Sequence, residues 1–69
     1  MIHSWLARRR AFNQLVDQEA TALVEREGGA GYYTAKQIAR LARERSDTRA
    51  VKLWVRVARQ VADRTGLVP

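Results

Sequence analysis

The sequence predicts an all-α protein, a small three-helix bundle in one domain. Apolar residues recur at the i, i+3, i+4, i+7 spacing of a helix in three separate segments, and the apolar/polar alternation of a strand is nowhere sustained. A chain of 69 residues allows one domain. It buries only about 60% of the surface that its unfolded form exposes, so its stability is small. We expect one domain over residues 1–69, with helices at about 4–27, 35–45 and 48–64.

The first helix is predicted between two recognisable ends. Ser4 suits its N-cap, because a serine hydroxyl accepts a hydrogen bond from a free backbone amide. Gly28 and Gly29 suit its end at Glu27, since glycine adopts the left-handed C-cap conformation at little cost. One apolar face runs along this segment, and Glu19 is its single polar member: Trp5, Phe12, Leu15, Val16, Glu19, Ala20, Leu23 and Val24.

The cations of this segment lie at the wrong end for a helix. Arg8, Arg9 and Arg10 oppose the helix dipole near its N-terminus. Either the helix begins nearer Arg10 or these arginines have another use, and we expect the helix to fray there. We expect Trp5, Phe12 and Trp54, which lie on apolar faces, to belong to the core.

A glycine-rich segment at residues 28–33 separates the first two helices. Neither the dinucleotide-binding nor the Walker spacing of glycines is met, so we expect a flexible corner and not a phosphate loop. Thr34 and Gln37 then have the spacing of a capping box. Tyr33 and Ile38 have the spacing of a hydrophobic staple, which together predicts the start of the second helix.

The third helix has clear ends but too wide an apolar face. Ser46 or Asp47 is expected to cap it, and Gly66 to stop it, with Pro69 beyond. Leu53 and Val57 fall off the edge of the apolar face and widen its arc to roughly 200°. The helix is therefore either enclosed between the other two or partly reserved for a second molecule. The residues of the face itself are Val51, Trp54, Val55, Ala58, Val61, Ala62 and Thr65.

The net charge of +6 lies entirely in residues 34–69. Such asymmetry is typical of a chain that binds a polyanion, although a GC-rich genome also encodes arginine-rich surfaces in ordinary proteins. Helical spacing aligns seven cations on the polar faces of the second and third helices. A nucleic-acid phosphate backbone would contact these cations: Lys36, Arg40, Arg43, Arg49, Lys52, Arg56 and Arg59.

The sequence has few side chains suited to catalysis or to metal binding. The chain has no cysteine, and its one histidine is His3, so neither a metal site nor a nucleophile with its base is indicated. We expect no enzyme activity, no cofactor and no small-molecule substrate. No apolar run is long enough for a membrane span, and the first residues do not have the order of a signal peptide, so we expect a cytoplasmic protein.

The second half of the chain resembles small uncharacterised helical proteins of alphaproteobacteria. The resemblance covers about residues 20–65 and implies shared packing but no activity. It depends on Ala35, Ile38, Ala39, Ala42, Asp47, Trp54, Ala58 and Val61.

The predicted function is a non-catalytic interaction module that binds protein and self-associates. Small domains often gain stability by oligomerising, and the wide apolar arc of the third helix offers a surface for it. Leu53 and Val57 are the predicted contact residues. The alternative is a nucleic-acid-binding protein that uses the seven aligned cations.

Overall fold

The computed structural model describes the backbone of residues 2–68 and the side chains of residues 4–68. Helix α1 spans Ile2–Glu27, a 3₁₀ turn spans Gly28–Ala30, α2 spans Gly31–Glu44 and α3 spans Thr48–Thr65. Every regular element in this range is helical, which confirms the all-α prediction. The His3 side chain and Pro69, both used in the sequence analysis, lie outside the described residues.

The helices are not three equally packed rods. Helix α1, the 3₁₀ turn and α2 follow one another with no non-helical residue between them, so residues 2–44 form one long bent helical stretch. Helix α3 packs against α2 most extensively and against α1 next, whereas α1 and α2 barely touch each other. The predicted three-helix bundle is therefore met only in part, because α3 lies between two arms that make little direct contact.

The bend is made by glycine, and a 3₁₀ turn followed directly by α2 takes the place of an irregular corner. Gly28 has φ +60°, the left-handed conformation that ends α1 where predicted. The backbone N–H of Gly31 then donates to the carbonyls of Gly28 and Gly29, which closes the 3₁₀ turn. Helix α2 consequently begins at Gly31, four residues earlier than predicted.

The predicted capping box and staple do not form, because the 3₁₀ turn already leads the chain into α2. Thr34 lies inside the helix, and its Oγ1 donates to Glu27 Oε1 at 2.6 Å. Gln37 accepts from the Arg40 guanidinium. Tyr33 is 60% exposed, so it does not pack as a staple on Ile38. The Thr34–Glu27 bond instead ties the end of α1 to the first turns of α2.

Helix α1 also begins earlier than predicted. It starts at Ile2, so Ser4 is a helical residue and not its N-cap. The segment that contains Arg8, Arg9 and Arg10 is helical, and the expected fraying or later start is wrong for the described residues. The three guanidinium groups are exposed to water, which screens their unfavourable interaction with the helix dipole.

Of the two caps expected for α3, the structure selects Asp47. Asp47 is the N-cap of α3, and its Oδ1 accepts from the Ala50 backbone N–H at 3.1 Å. Before it, Ser46 N–H donates to Arg43 O and Asp47 N–H to Ala42 O, the two hydrogen bonds of a Schellman motif. Ser46 occupies the left-handed position of that motif with φ +60°. At its other end α3 stops before Gly66, as predicted.

The core is small and lies where α3 passes between the two arms. Six of its ten apolar side chains are alanine, which lets the helices approach closely but leaves few large groups to bury. The larger buried side chains are Val16 and Leu23 from α1 and Val57 and Val61 from α3. Trp54 is half-buried at the edge of this core.

Helix α1 is longer than the element that covers it. Its 26 residues rise about 39 Å, whereas the 18 residues of α3 rise about 27 Å. The pairing of Arg64 with Asp17 and Thr21 holds the end of α3 against the C-terminal half of α1. The N-terminal turns of α1 are not buried by this packing, and Ser4 to Ala11 are all exposed.

Candidate interaction groove between α1 and α3

An open groove runs between the N-terminal half of α1 and the N-terminal half of α3. Its volume is about 1020 Å³. The residues that line it come from these two helices and from the Asp47 turn before α3. Its apolar part, here called the floor, is formed by Trp5, Phe12, Leu15, Ala50, Val51, Leu53 and Val55.

The apolar floor is well exposed to solvent at its α1 side. Trp5 is 57% exposed and Leu15 is 40% exposed, while Phe12 is half-buried against the core. Trp5 was expected in the core, and that prediction is wrong. Its face of α1 does point the same way as Val16 and Leu23, but Trp5 lies in the open groove between α1 and α3 and not in the buried core.

The rim of the groove is cationic. It carries five cations and one carboxylate, a net charge of +4. The Arg9 guanidinium lies over the Trp5 ring, 5.5 Å from its centroid, which is within the range of a cation–π interaction. The charged residues of the rim are Arg8, Arg9, Asp47, Arg49, Lys52 and Arg56.

The two predicted contact residues have different places in the structure. Leu53 is half-buried, packs on the core and lines the groove. Val57 is 0% exposed, so the prediction that it contacts a partner is wrong. The wide apolar arc of α3 is explained by enclosure within the chain, since α1 and α2 cover it from both sides.

The seven predicted cations are divided between two surfaces. Arg49, Lys52 and Arg56 line the groove, and they are joined there by Arg8 and Arg9 of α1. The other four are exposed outside it, on α2 and further along α3: Lys36, Arg40, Arg43 and Arg59. Among the side chains of residues 4–68, the ion pairs are Arg45–Asp47 and Arg64–Asp17, and neither includes any of the seven.

The contribution of α1 to this site was not predicted. Two separate features of the sequence carried the signal, the extension of the apolar face to Trp5 and the unfavourable placement of Arg8 and Arg9. Both follow if the N-terminal turns of α1 are shaped for an external contact. The two features become one site only in the structure, where Trp5, Arg8 and Arg9 all line the groove between α1 and α3.

The rest of the described chain offers little other chemistry. Residues 4–68 contain no cluster of three metal-ligating side chains. None of the helices, as far as they are described, is long and apolar enough to span a membrane. Comparison of the chain with protein-family models, curated proteins and solved structures finds no match.

Proposed function

We propose that the protein is a non-catalytic interaction module that binds another protein chain in the groove between α1 and α3. The observation that carries this proposal is the exposure of Trp5 and Leu15 in one groove, which the half-buried Phe12 and Leu53 also line. Contiguous apolar residues with a polar rim are typical of protein-binding surfaces. That the protein acts in the cytoplasm is also a proposal, and it depends on the absence of cysteine.

The energetics of the chain support an external contact. Covering a large apolar side chain fully contributes about 1.5–3 kcal/mol relative to leaving it in water. The alanine-rich core buries few such side chains. A partner that covers Trp5 and Leu15 would add an amount comparable to a large part of the stability of so small a domain.

A second copy of the chain is one protein that could occupy the groove. The exposed apolar surface favours self-association, and the net charge of +6 opposes it. We therefore propose that self-association is weak at low ionic strength and increases as salt screens the charge.

The test uses a displayed library of 18-residue peptides with the whole protein as bait. The matched variants are Leu15→Ser in the groove and Leu41→Ser on α2, because these leucines are 40% and 45% exposed. We expect enriched peptides that bind the wild type and Leu41→Ser but not Leu15→Ser. No enrichment over bare support, or equal binding to both variants, would contradict a peptide-binding groove.

Nucleic-acid binding is the second candidate, and one observation favours it. The seven predicted cations are all exposed, and within residues 4–68 none belongs to an ion pair. Binding of a phosphate backbone would release counterions and fall steeply with salt. A salt titration against mixed DNA and RNA tests this candidate, with Arg40, Arg43, Lys52, Arg56 and Arg59 neutralised in the comparison protein. A flatter salt slope in that protein supports it, and no binding at low salt excludes it.

A further inference from the structure

We infer that the partner in this groove is an acidic amphipathic helix of another protein, an inference that rests on the proposed function and specifies its ligand. Three properties of the groove lead to it. They are its length, the sign of its rim charge and the apolar character of its floor.

The length of the groove suits a helix. Its residues extend from Trp5 to Leu15 on α1 and from Asp47 to Arg56 on α3, each about 14–15 Å along a helix axis. That span equals roughly three helical turns. A partner helix that lies in the groove would present side chains at i, i+3, i+4 and i+7 to the apolar floor, as in other helix-in-groove complexes.

The positive charge of the rim indicates that acidic side chains flank the apolar face of the partner helix. Two cations from α1 and three from α3 border the floor, with Asp47 as the one acid. Carboxylates on the partner, placed beside its apolar face, would meet Arg8, Lys52 and Arg56. Pairs of this kind raise the association rate and select against partners of the same sign.

The charge of the rim and the apolar floor also favour this partner over the other two candidates, a second copy of the chain and a nucleic acid. A second copy would bring another rim of +4 towards the first, which costs energy at low salt. A nucleic acid would satisfy the cations and could stack on Trp5, but the aliphatic floor formed by Leu15, Val51 and Val55 offers nothing to phosphates or base edges.

Three fluorescent synthetic peptides of 18 residues test the inference against the whole protein by fluorescence anisotropy. The first is helical, with leucines on one face and glutamates on its flanks. The second keeps the leucines and replaces every glutamate by lysine. The third keeps the glutamates and replaces every leucine by serine. We expect the first peptide to bind at least about tenfold more tightly than either of the others at low salt.

Charge reversal locates the binding site. The double variant Lys52→Glu/Arg56→Glu changes the rim, and Arg40→Glu/Arg43→Glu makes the same change in net charge on α2. We expect the rim variant to lose at least about tenfold in affinity for the first peptide, and the α2 variant to lose much less. Circular dichroism spectra must show that both variants keep the helix content of the wild type.

The outcomes distinguish failure of the inference from failure of the proposed function. Equal binding of the glutamate and lysine peptides overturns the acidic partner and leaves a protein-binding groove. Equal binding of the first and third peptides, or equal loss in both double variants, shows attraction by net charge alone and overturns the inference. Failure of every peptide, together with no enrichment from the library, overturns both. Tighter binding of single-stranded DNA than of the first peptide, lost in the rim variant, would overturn the inference in favour of the nucleic-acid candidate.

Discussion

Arg64 of α3 joins Asp17 of α1 across the molecule, with Nη2 donating to Asp17 Oδ1 at 2.6 Å. Its Nη1 also donates to Thr21 Oγ1 at 2.8 Å, one helical turn further along α1. Together these bonds fix the end of α3 against the C-terminal half of α1. The N-terminal halves of the two helices are thereby left opposite each other, with the groove between them.

Removing the charge of Asp17 should weaken the fold only slightly. The Asp17 side chain is 69% exposed, so we expect Asp17→Asn to lower the free energy of unfolding by at most about 1 kcal/mol. The difference should shrink in about 1 M NaCl, where the Debye length is about 3 Å. Urea unfolding followed by circular dichroism measures it. Glu25→Gln, an exposed acid on the same helix, is the control, and an equal loss there would remove the special role of the Arg64 contact.

The closest packing at the bend lies at Gly31. A Cβ added there would lie 3.1 Å from Leu23 Cβ and 3.3 Å from the Leu23 carbonyl oxygen, and backbone cannot move aside as easily as a side-chain end. We expect Gly31→Ala to lower the free energy of unfolding by about 1–3 kcal/mol. At Gly29 the nearest atom is Thr65 Oγ1 at 3.5 Å, an ordinary contact. Gly29→Ala should therefore be at least as stable as the wild type, and a loss equal to that of Gly31→Ala would contradict the close approach.

Ser46 is a site where the natural residue is not the most stable one. It has φ +60° in the Schellman motif, a conformation that costs an L-residue with a Cβ about 1–2 kcal/mol. Glycine avoids this cost but loses more chain entropy on folding, so we expect Ser46→Gly to raise the free energy of unfolding by about 0.5–1 kcal/mol. Thermal and urea unfolding check it, with Ser46→Ala as the comparison. If alanine stabilises as much as glycine, backbone strain is not the cause.

Local signals in the sequence predicted the helix ends that depend on one or two residues. Gly28 and Gly66 have the left-handed conformations expected of them, and Asp47 caps α3. The predicted start of α2 was wrong because Thr34 and Gln37 satisfy the pattern of a capping box without forming one. The pattern cannot indicate that a preceding 3₁₀ turn already leads the chain into the helix.

The site could be predicted less well because it depends on where two helices pack tightly and where they leave a groove between them. The helical wheel of α3 correctly showed an apolar arc too wide for a surface helix. It could not show that both sides of the arc are covered at Val57 while the apolar face of α1 is left uncovered at Trp5. Periodicity gives the direction of a side chain about its own helix, but the neighbour that it meets is set by tertiary packing.

Burial separates Val57 from Leu15 in a way that stability measurements can test. Val57 is fully buried, so Val57→Ala should lower the free energy of unfolding by about 2–3 kcal/mol, the transfer term of two methyl groups plus a cavity term. Leu15→Ala removes more atoms but from an exposed side chain, and we expect a change within about 0.5 kcal/mol. Urea unfolding at low protein concentration compares the two. A large loss for Leu15→Ala would mean that another part of the chain covers the groove.

Added salt should strengthen self-association, whereas it would weaken a dimer held by ion pairs. At low ionic strength the net charge of +6 keeps two copies apart, and in about 1 M NaCl that repulsion is screened while apolar burial is retained. We expect sedimentation equilibrium to show a monomer at low salt and increasing dimer at high salt. Leu15→Ser should prevent the dimer, and Leu41→Ser should leave it unchanged. A dimer that is strongest at low salt would require complementary charges between copies, which contradicts a groove whose rim repels a second rim. A monomer at every salt concentration would remove self-association from the proposal, and the groove would then be reserved for partners other than a second copy.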